Sequence, residues 1–347
     1  MEAIDLLKKL IAIPSFSKEE AALADFLQNH IESLGYEVFR KDNNLWLMSP
    51  AFELSKPTLL LNSHIDTVKP VQGWSSDPFI PIEKNGKLIG LGSNDAGASL
   101  VSLLYSFFTL SAKNQPYNLI FAATAEEEIS GANGIENLLK ELPNIDIAIV
   151  GEPTNMQPAI AEKGLMVLDC TTFGKAGHAA RNEGENAIYK ALPDIEWFKN
   201  HRFEKTSDLL GEVKMSVTMI NAGTQHNVVP DRCSFVVDLR SNEYYSNQEL
   251  LDEIEKSVQC EVRARSTRLN SSSIDKNHAI IQKCISMGLQ PFGSPTLSDQ
   301  ALMPFPSLKM GAGDSARSHT ANEFIFIEEI ENAIQTYIEL LDGLKIV

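Results

Sequence analysis

The sequence predicts an α/β protein: a mostly parallel sheet with helices on both faces, interrupted by a smaller inserted α+β domain. Three observations carry this. Apolar runs of strand length at 58–62, 118–124 and 145–150 lack polar alternation and are separated by helix-period segments, the pattern of strands buried on both faces. After Gly164 the strands alternate apolar and polar residues, as half-exposed strands do. The length of 347 residues suits about two domains.

Taken in order, the chain begins with an amphipathic helix. Ser17 to Glu20 reads as a capping box that opens a second helix, stopped by Gly35. Short strands are expected at 37–40, 45–48 and 58–62, and a long apolar helix over 95–111. The strand at 118–124 leads to a helix at 131–139 and a strand at 145–150. The inserted segment reads strand 166–172, helix 187–199, strands 213–221 and 233–240, helix 247–258, strand 261–266. That order, βαββαβ, makes a sheet with one free face. A polar run at 270–274 ends it, and apolar patterns resume from Ala279 to Leu344. The expected boundaries are 1–164 with 273–347 for the first domain and 165–272 for the insert.

Composition excludes some functions. A formal net charge of −16 argues against non-specific binding to nucleic acid or anionic membranes, which need basic surfaces. The N-terminus lacks the basic and unbroken apolar regions of a signal peptide, and no apolar run approaches the ~20 residues of a membrane span. The four cysteines are dispersed without a Cys-x-x-Cys pair, as expected of free thiols in a reducing cytoplasm.

Five short stretches interrupt this apolar framework. His64 and Asp66 stand two apart at a strand end, which puts them on one face. Asp95 follows the glycines of Gly90-Leu91-Gly92 and could equally be a helix cap. The triplet Glu126-Glu127-Glu128 follows a buried strand and could equally be a solvated helix start. Glu152 ends a third strand, and Ser318-His319-Thr320 lies near the C-terminus. What they share is position at the carboxyl edge of parallel strands, where open α/β sheets bind ligands. Two histidines and several carboxylates there suit Zn²⁺-like ions, and a carboxylate shared between two ions would make a two-metal hydrolytic site. No Gly-x-Ser-x-Gly elbow or reactive-cysteine motif offers a covalent nucleophile instead.

Ser63-His64-Ile65-Asp66-Thr67-Val68, Asn94-Asp95-Ala96-Gly97, Glu127-Glu128, Gly151-Glu152-Pro153-Thr154 and the segment from Ser318 to Glu323 together resemble the co-catalytic dizinc amidohydrolases and peptidases, the family of acetylornithine deacetylase and succinyl-diaminopimelate desuccinylase. The resemblance is nearest to the acetylornithine deacetylase branch. It implies a zinc-peptidase-like catalytic domain with an inserted lid and dimerisation domain. It implies that His64, Asp95 and Glu152 hold one metal and that Asp95, Glu128 and His319 hold the other, with a cis peptide bond after Asp95. The ions would be Zn²⁺, or Co²⁺ as an alternative. Asp66 would orient His64, and Glu127 would be the general base. His178 in Gly174-Lys175-Ala176-Gly177-His178 would stabilise the oxyanion in the partner subunit's site, and Asn227 and Arg240 would bind substrate. Without the family, His178 reads as a surface histidine and Arg240 as an ion-paired one.

The implied activity is hydrolysis of an N-acylated amino acid, N-acetylornithine to ornithine and acetate, by a cytoplasmic homodimer joined through the insert. N-succinylornithine or another N-acyl diamino acid is the alternative substrate, with Arg181 as a partner for a second carboxylate; a dipeptidase or aminopeptidase is the next. One departure stands out. Many relatives have a lysine soon after the bridging aspartate, where this chain reads Asp95-Ala96-Gly97-Ala98.

Overall fold

The computed structural model describes residues 2–50 and 52–346. It divides into two compact units. The first runs to Ile160 and includes Ser273–Phe292 and the chain from Ser298; the second is Ala161–Ser272 with Gly293–Leu297.

The first unit is built on a sheet whose central strands Asn118–Thr124, Thr58–His64, Ile147–Val150 and Ser307–Lys309 lie side by side and parallel. Asn44–Met48 and then Phe39–Lys41 add antiparallel strands at one edge. Burial explains why these segments show no polar alternation. Leu59, Leu61, Leu119, Phe121, Ile147 and Ile149 face one core, while Leu60, Ile120, Ala122 and Ala148 face another.

The two covers are unequal. Helices Glu2–Ile11, Ala21–Ser33, Ala98–Ser111, Ala279–Ser286 and Ile327–Leu341 pack on the first face. The second face is closed by the short helix Ile135–Leu138, the turn Asp299–Leu302 and side chains such as Trp46 and Met303. The helix expected over 131–139 is only four residues long, Ile135–Leu138, preceded by Gly131 and Gly134 packed against Glu126 and the Ala125 carbonyl. The helix expected from Asp95 begins at Ala98, after an irregular turn Ser93–Gly97.

The expected capping box is absent. The second helix starts at Ala21 behind Glu20, with no side-chain cap. Ser17 and Glu20 send their side chains elsewhere, to Asp66 and to the backbone of Glu126.

The second unit has the order strand, helix, strand, strand, helix, strand. Its antiparallel sheet runs Lys214–Ala222, Arg232–Arg240, Met166–Phe173, Glu261–Ala264. Alternate residues of the two inner strands are buried under helices Ala187–Asn200 and Asn247–Ser257, among them Leu168, Cys170, Phe235 and Val237. The other set is partly exposed, so one face is free. All four cysteines are buried free thiols, and among the described residues no helix is long and apolar enough to cross a membrane.

Candidate metal centre

Parallel pairing in register brings four strand ends to one edge of the first unit. Thr58–His64 ends on His64; Asn118–Thr124 runs into the Glu triplet; Ile147–Val150 runs into Gly151 and Glu152; Ser307–Lys309 leads to the loop carrying His319. Asp95 enters from the turn before helix Ala98–Ser111, and its peptide bond to Ala96 is cis.

Asp95 lies between the two histidines. Its Oδ1 is 3.3 Å from His64 Nε2 and its Oδ2 is 3.6 Å from His319 Nε2. His64 Nε2 is also 3.7 Å from Glu152 Oε1, and His319 Nε2 is 2.9 Å from Glu128 Oε2. One donor atom each from His64, Glu127 and Glu152 fall within 4.8 Å of one another, as do those of His64, Asp95 and Glu128. The structure thus gathers His64, Asp95, Glu127, Glu128, Glu152 and His319 at one place.

The electrostatics call for a cation. Burial pushes the Glu152 carboxyl up; His64 opposes the rise and Asp95 adds to it, leaving it at about 8. Burial and then Glu152 push Glu127 well above the usual carboxylate range. Burial disfavours charge on His64, but its contacts with Asp66 and Asp95 outweigh this and hold it well above its usual value. Glu128 raises His319 to about 9. Glu127 and Glu152 therefore retain protons unless positive charge is supplied. Glu152 Oε1 is buried and makes no hydrogen bond among the described residues. His64 Nδ1 lies 2.8 Å from the Asp66 main-chain carbonyl, so Nδ1–H donates there and Nε2 is the ring nitrogen turned to the carboxylates. This donor set of nitrogen and oxygen fits one or two Zn²⁺-like ions.

Asp66 differs from expectation in its contacts. Its carboxylate Oδ1 is 3.5 Å from His64 Nδ1, an ion-pair contact longer than the one its carbonyl makes. The carboxylate also accepts the N–H groups of Glu127 at 3.0 Å and Glu128 at 3.2 Å, and the Ser17 hydroxyl at 2.7 Å.

The triplet is a turn, not a solvated helix start. Glu126 is buried in the left-handed region at φ 58°, and its carboxylate accepts from Asn133 Nδ2 at 2.9 Å. Glu127 and Glu128 follow in one 3₁₀ turn, Glu127–Ile129.

His178, Asn227 and Arg240 lie in the second unit. Gly177–His178 pairs with Val228–Val229 in a small two-stranded ribbon, and Ala179 N–H donates to the Asn227 carbonyl at 3.0 Å. His178 is exposed, its Nδ1 accepting the Ala180 N–H. Arg240 ends strand Arg232–Arg240 and pairs with Asp238 through Nε at 2.8 Å and Nη2 at 3.1 Å. Arg181 is exposed, 3.8 Å from Glu183.

Two buried carboxylates had no role in the sequence reading. Glu323 accepts the N–H groups of Gly92, Asn94 and Asp95 at 3.1, 2.8 and 2.9 Å, and burial raises it to about 7. Asp299 accepts from Asn62 and Thr124, both at 2.8 Å, and burial raises it to about 6. Both stand among polar neighbours in the sequence and gave no local signal, since each partner lies more than 170 residues away. Gly97 has a local cause: a Cβ there would meet the Gly92 carbonyl and come within 2.7 Å of Leu7 Cδ1, so no lysine fits.

The sequence profile of Peptidase family M20/M25/M40 matches residues 60–343. The chain is 27% identical to an acetylornithine deacetylase of Proteus mirabilis, over 98% of this chain and 96% of that protein. It is 28% identical to a succinyl-diaminopimelate desuccinylase of Buchnera aphidicola, over 72% of this chain and 71% of that protein. Among solved structures, the aminopeptidase PepT of Bacillus cereus has the same fold, with a TM-score of 0.79 at 20% identity over 98% of this chain and 97% of that one. With the profile spanning most of its length, the chain belongs to peptidase family M20/M25/M40 and is a metal-dependent amidohydrolase.

Proposed function

We propose that the chain hydrolyses N-acetylornithine to ornithine and acetate, using two divalent ions, Zn²⁺ or Co²⁺. The observation that carries the metal reading is Asp95 set between His64 and His319, one carboxylate oxygen toward each. His64, Asp95 and Glu152 would hold one ion, and Asp95, Glu128 and His319 the other. The substrate reading is supported by the likeness to acetylornithine deacetylase over nearly the whole chain.

When bound, such ions polarise the acyl carbonyl and lower the pKa of a water towards ~7. Glu127 takes that water's proton during attack on the acyl carbon and passes it to the leaving nitrogen. His178 donates to the oxygen that gains charge. Asp238 orients Arg240 through Nε and Nη2, and Nη1 is the nitrogen we assign to the substrate carboxylate, with Asn227 beside the lid histidine's ribbon as a further substrate contact. A homodimer through the insert is supported by Met219 and Ile220, 56% and 53% exposed on edge strand Lys214–Ala222.

Glu127→Ala should keep its metal content and lose about 100- to 10,000-fold in kcat; metal analysis beside steady-state kinetics checks this, and an active variant rejects Glu127 as the base. The desuccinylase likeness favours a second reading, deacylation of N-succinylornithine or a similar succinyl substrate. Comparing kcat/KM for acetyl and succinyl substrates, in wild type and Arg181→Ala, separates the two. A preference for acetyl that Arg181→Ala leaves unchanged supports the first.

A further inference from the structure

The stretch Ser17 to Glu20, which has the pattern of a helix cap and caps nothing, lies against the Glu triplet. Four consecutive N–H groups there are each received by a side-chain oxygen. Ala125 donates to Asn44 Oδ1 at 3.0 Å, Glu126 to Glu20 Oε1 at 3.2 Å, Glu127 to Asp66 Oδ1 at 3.0 Å and Glu128 to Asp66 Oδ2 at 3.2 Å. No strand or helix could take these groups, because Glu126 is left-handed. A non-glycine residue in that region persists only where its surroundings over-determine it.

Glu20 is fully buried and supplies that determination. Its Oε1 also accepts the N–H of Lys18, the other left-handed residue of this pair of segments, at 2.7 Å, and its Oε2 accepts Asn43 Nδ2 at 2.9 Å. Ser17 donates its hydroxyl to Asp66 Oδ2 at 2.7 Å, on the carboxylate that grips Glu127 and Glu128. The strap is itself anchored beside the segment after His64: Ser15 Oγ donates to the Ile65 carbonyl and Thr67 N–H to the Ser15 carbonyl, both at 2.9 Å.

We infer that Ser17 and Glu20 are positioning residues that set the direction of Glu127 and Glu128, Glu20 by holding the Glu126 N–H and Ser17 by fixing the Asp66 carboxylate. The inference rests on the reading of Glu127 as base and Glu128 as metal ligand. A base displaced by about 1 Å can cost ~100-fold in rate with little effect on the fold, whereas a strap that served only packing would change stability and leave turnover alone.

The experiment compares Ser17→Ala, Ser17→Thr, Glu20→Ala and Glu20→Gln with wild type and Glu127→Ala. It reads kcat and KM on N-acetylornithine, Co²⁺ affinity of metal-free protein by visible absorption, and melting temperature. Ser17→Ala should stay folded with a melting temperature only a few degrees lower, hold KM within about twofold, lose about 10- to 100-fold in kcat and bind Co²⁺ about tenfold more weakly. Ser17→Thr, which restores the hydroxyl, should stay within about threefold of wild type. Glu20→Ala should lose at least as much as Ser17→Ala, while Glu20→Gln keeps an acceptor oxygen and most of the activity. If Glu20→Ala does not fold, the two Ser17 variants still decide. An unimpaired Ser17→Ala enzyme beside an inactive Glu127→Ala one overturns the inference alone; so does a Ser17→Thr enzyme as impaired as Ser17→Ala. An active Glu127→Ala enzyme refutes the base itself, which is a distinct result.

Discussion

Glu323 shows how much a single side chain can settle. It lies four residues after His319, and its carboxylate takes the N–H groups of Gly92, Asn94 and Asp95. Two donor-bearing loops separated by more than 220 residues are thereby tied together. Removing it in Glu323→Ala strands three buried N–H groups and should cost about 3 kcal/mol or more. Urea unfolding of the metal-free protein measures this, and a Zn²⁺ titration should show weaker binding because Asp95 loses its support. Little of this was legible in the sequence. Glu323 sits in a recognisable motif beside His319, but its partners are main-chain groups whose approach depends on the whole sheet. Asp66 carries the same lesson: His-x-Asp spacing suggests a carboxylate on the imidazole, yet the Asp66 carbonyl reaches Nδ1 first and frees the carboxylate for the Glu turn.

At the scale of elements, three of the four central parallel strands were legible, while Ser307–Lys309 and the turns were not. Continuous apolar runs at 58–62 and 118–124 mark strands because both faces are covered, and they end within two residues of where the runs end. Ser17 to Glu20 misleads because Ser-x-x-Glu satisfies a cap or a strap equally well, and only tertiary partners decide between them. Gly151 marks a close approach of helix and strand. A Cβ there would lie 2.6 Å from Leu103 Cδ1, 3.1 Å from Ser99 Cβ and 3.2 Å from Ser63 Cβ. Gly151→Ala should therefore push the end of Ile147–Val150 away from helix Ala98–Ser111 at a cost of about 1–3 kcal/mol, carrying Glu152 with it. Thermal unfolding and metal stoichiometry of the variant check the expectation: a lower melting temperature together with weaker binding at the site holding Glu152.

For the molecule as a whole, the shifted groups predict how stability follows pH. Glu152 at about 8, Glu323 at about 7 and Asp299 at about 6 are carboxyls raised on folding, and His319 at about 9 is an imidazole raised on folding. Both kinds bind protons more tightly in the folded state. The stability they contribute is complete below the unfolded values and is lost as pH rises through the folded ones. In chelator the protein should thus melt progressively lower from about pH 6 to pH 9. With Zn²⁺ present the trend should flatten or reverse, since bound ligands must be deprotonated. Melting curves across that range, with and without metal, give the comparison; a metal-free melting temperature that rises with pH contradicts it.

The ligand set also has an order in time. His64, Asp95, Glu128 and Glu152 precede the second unit in the chain, and His319 follows it. During synthesis the first four are made before any of the inserted unit, and the fifth only after the strand Ser307–Lys309 that docks beside Ile147–Val150. The nascent chain thus holds an incomplete set of the proposed donors until the segment carrying His319 is translated. On the proposed ligand set, capture of both ions waits for that segment to dock, and chains cut short before His319 should lack one donor.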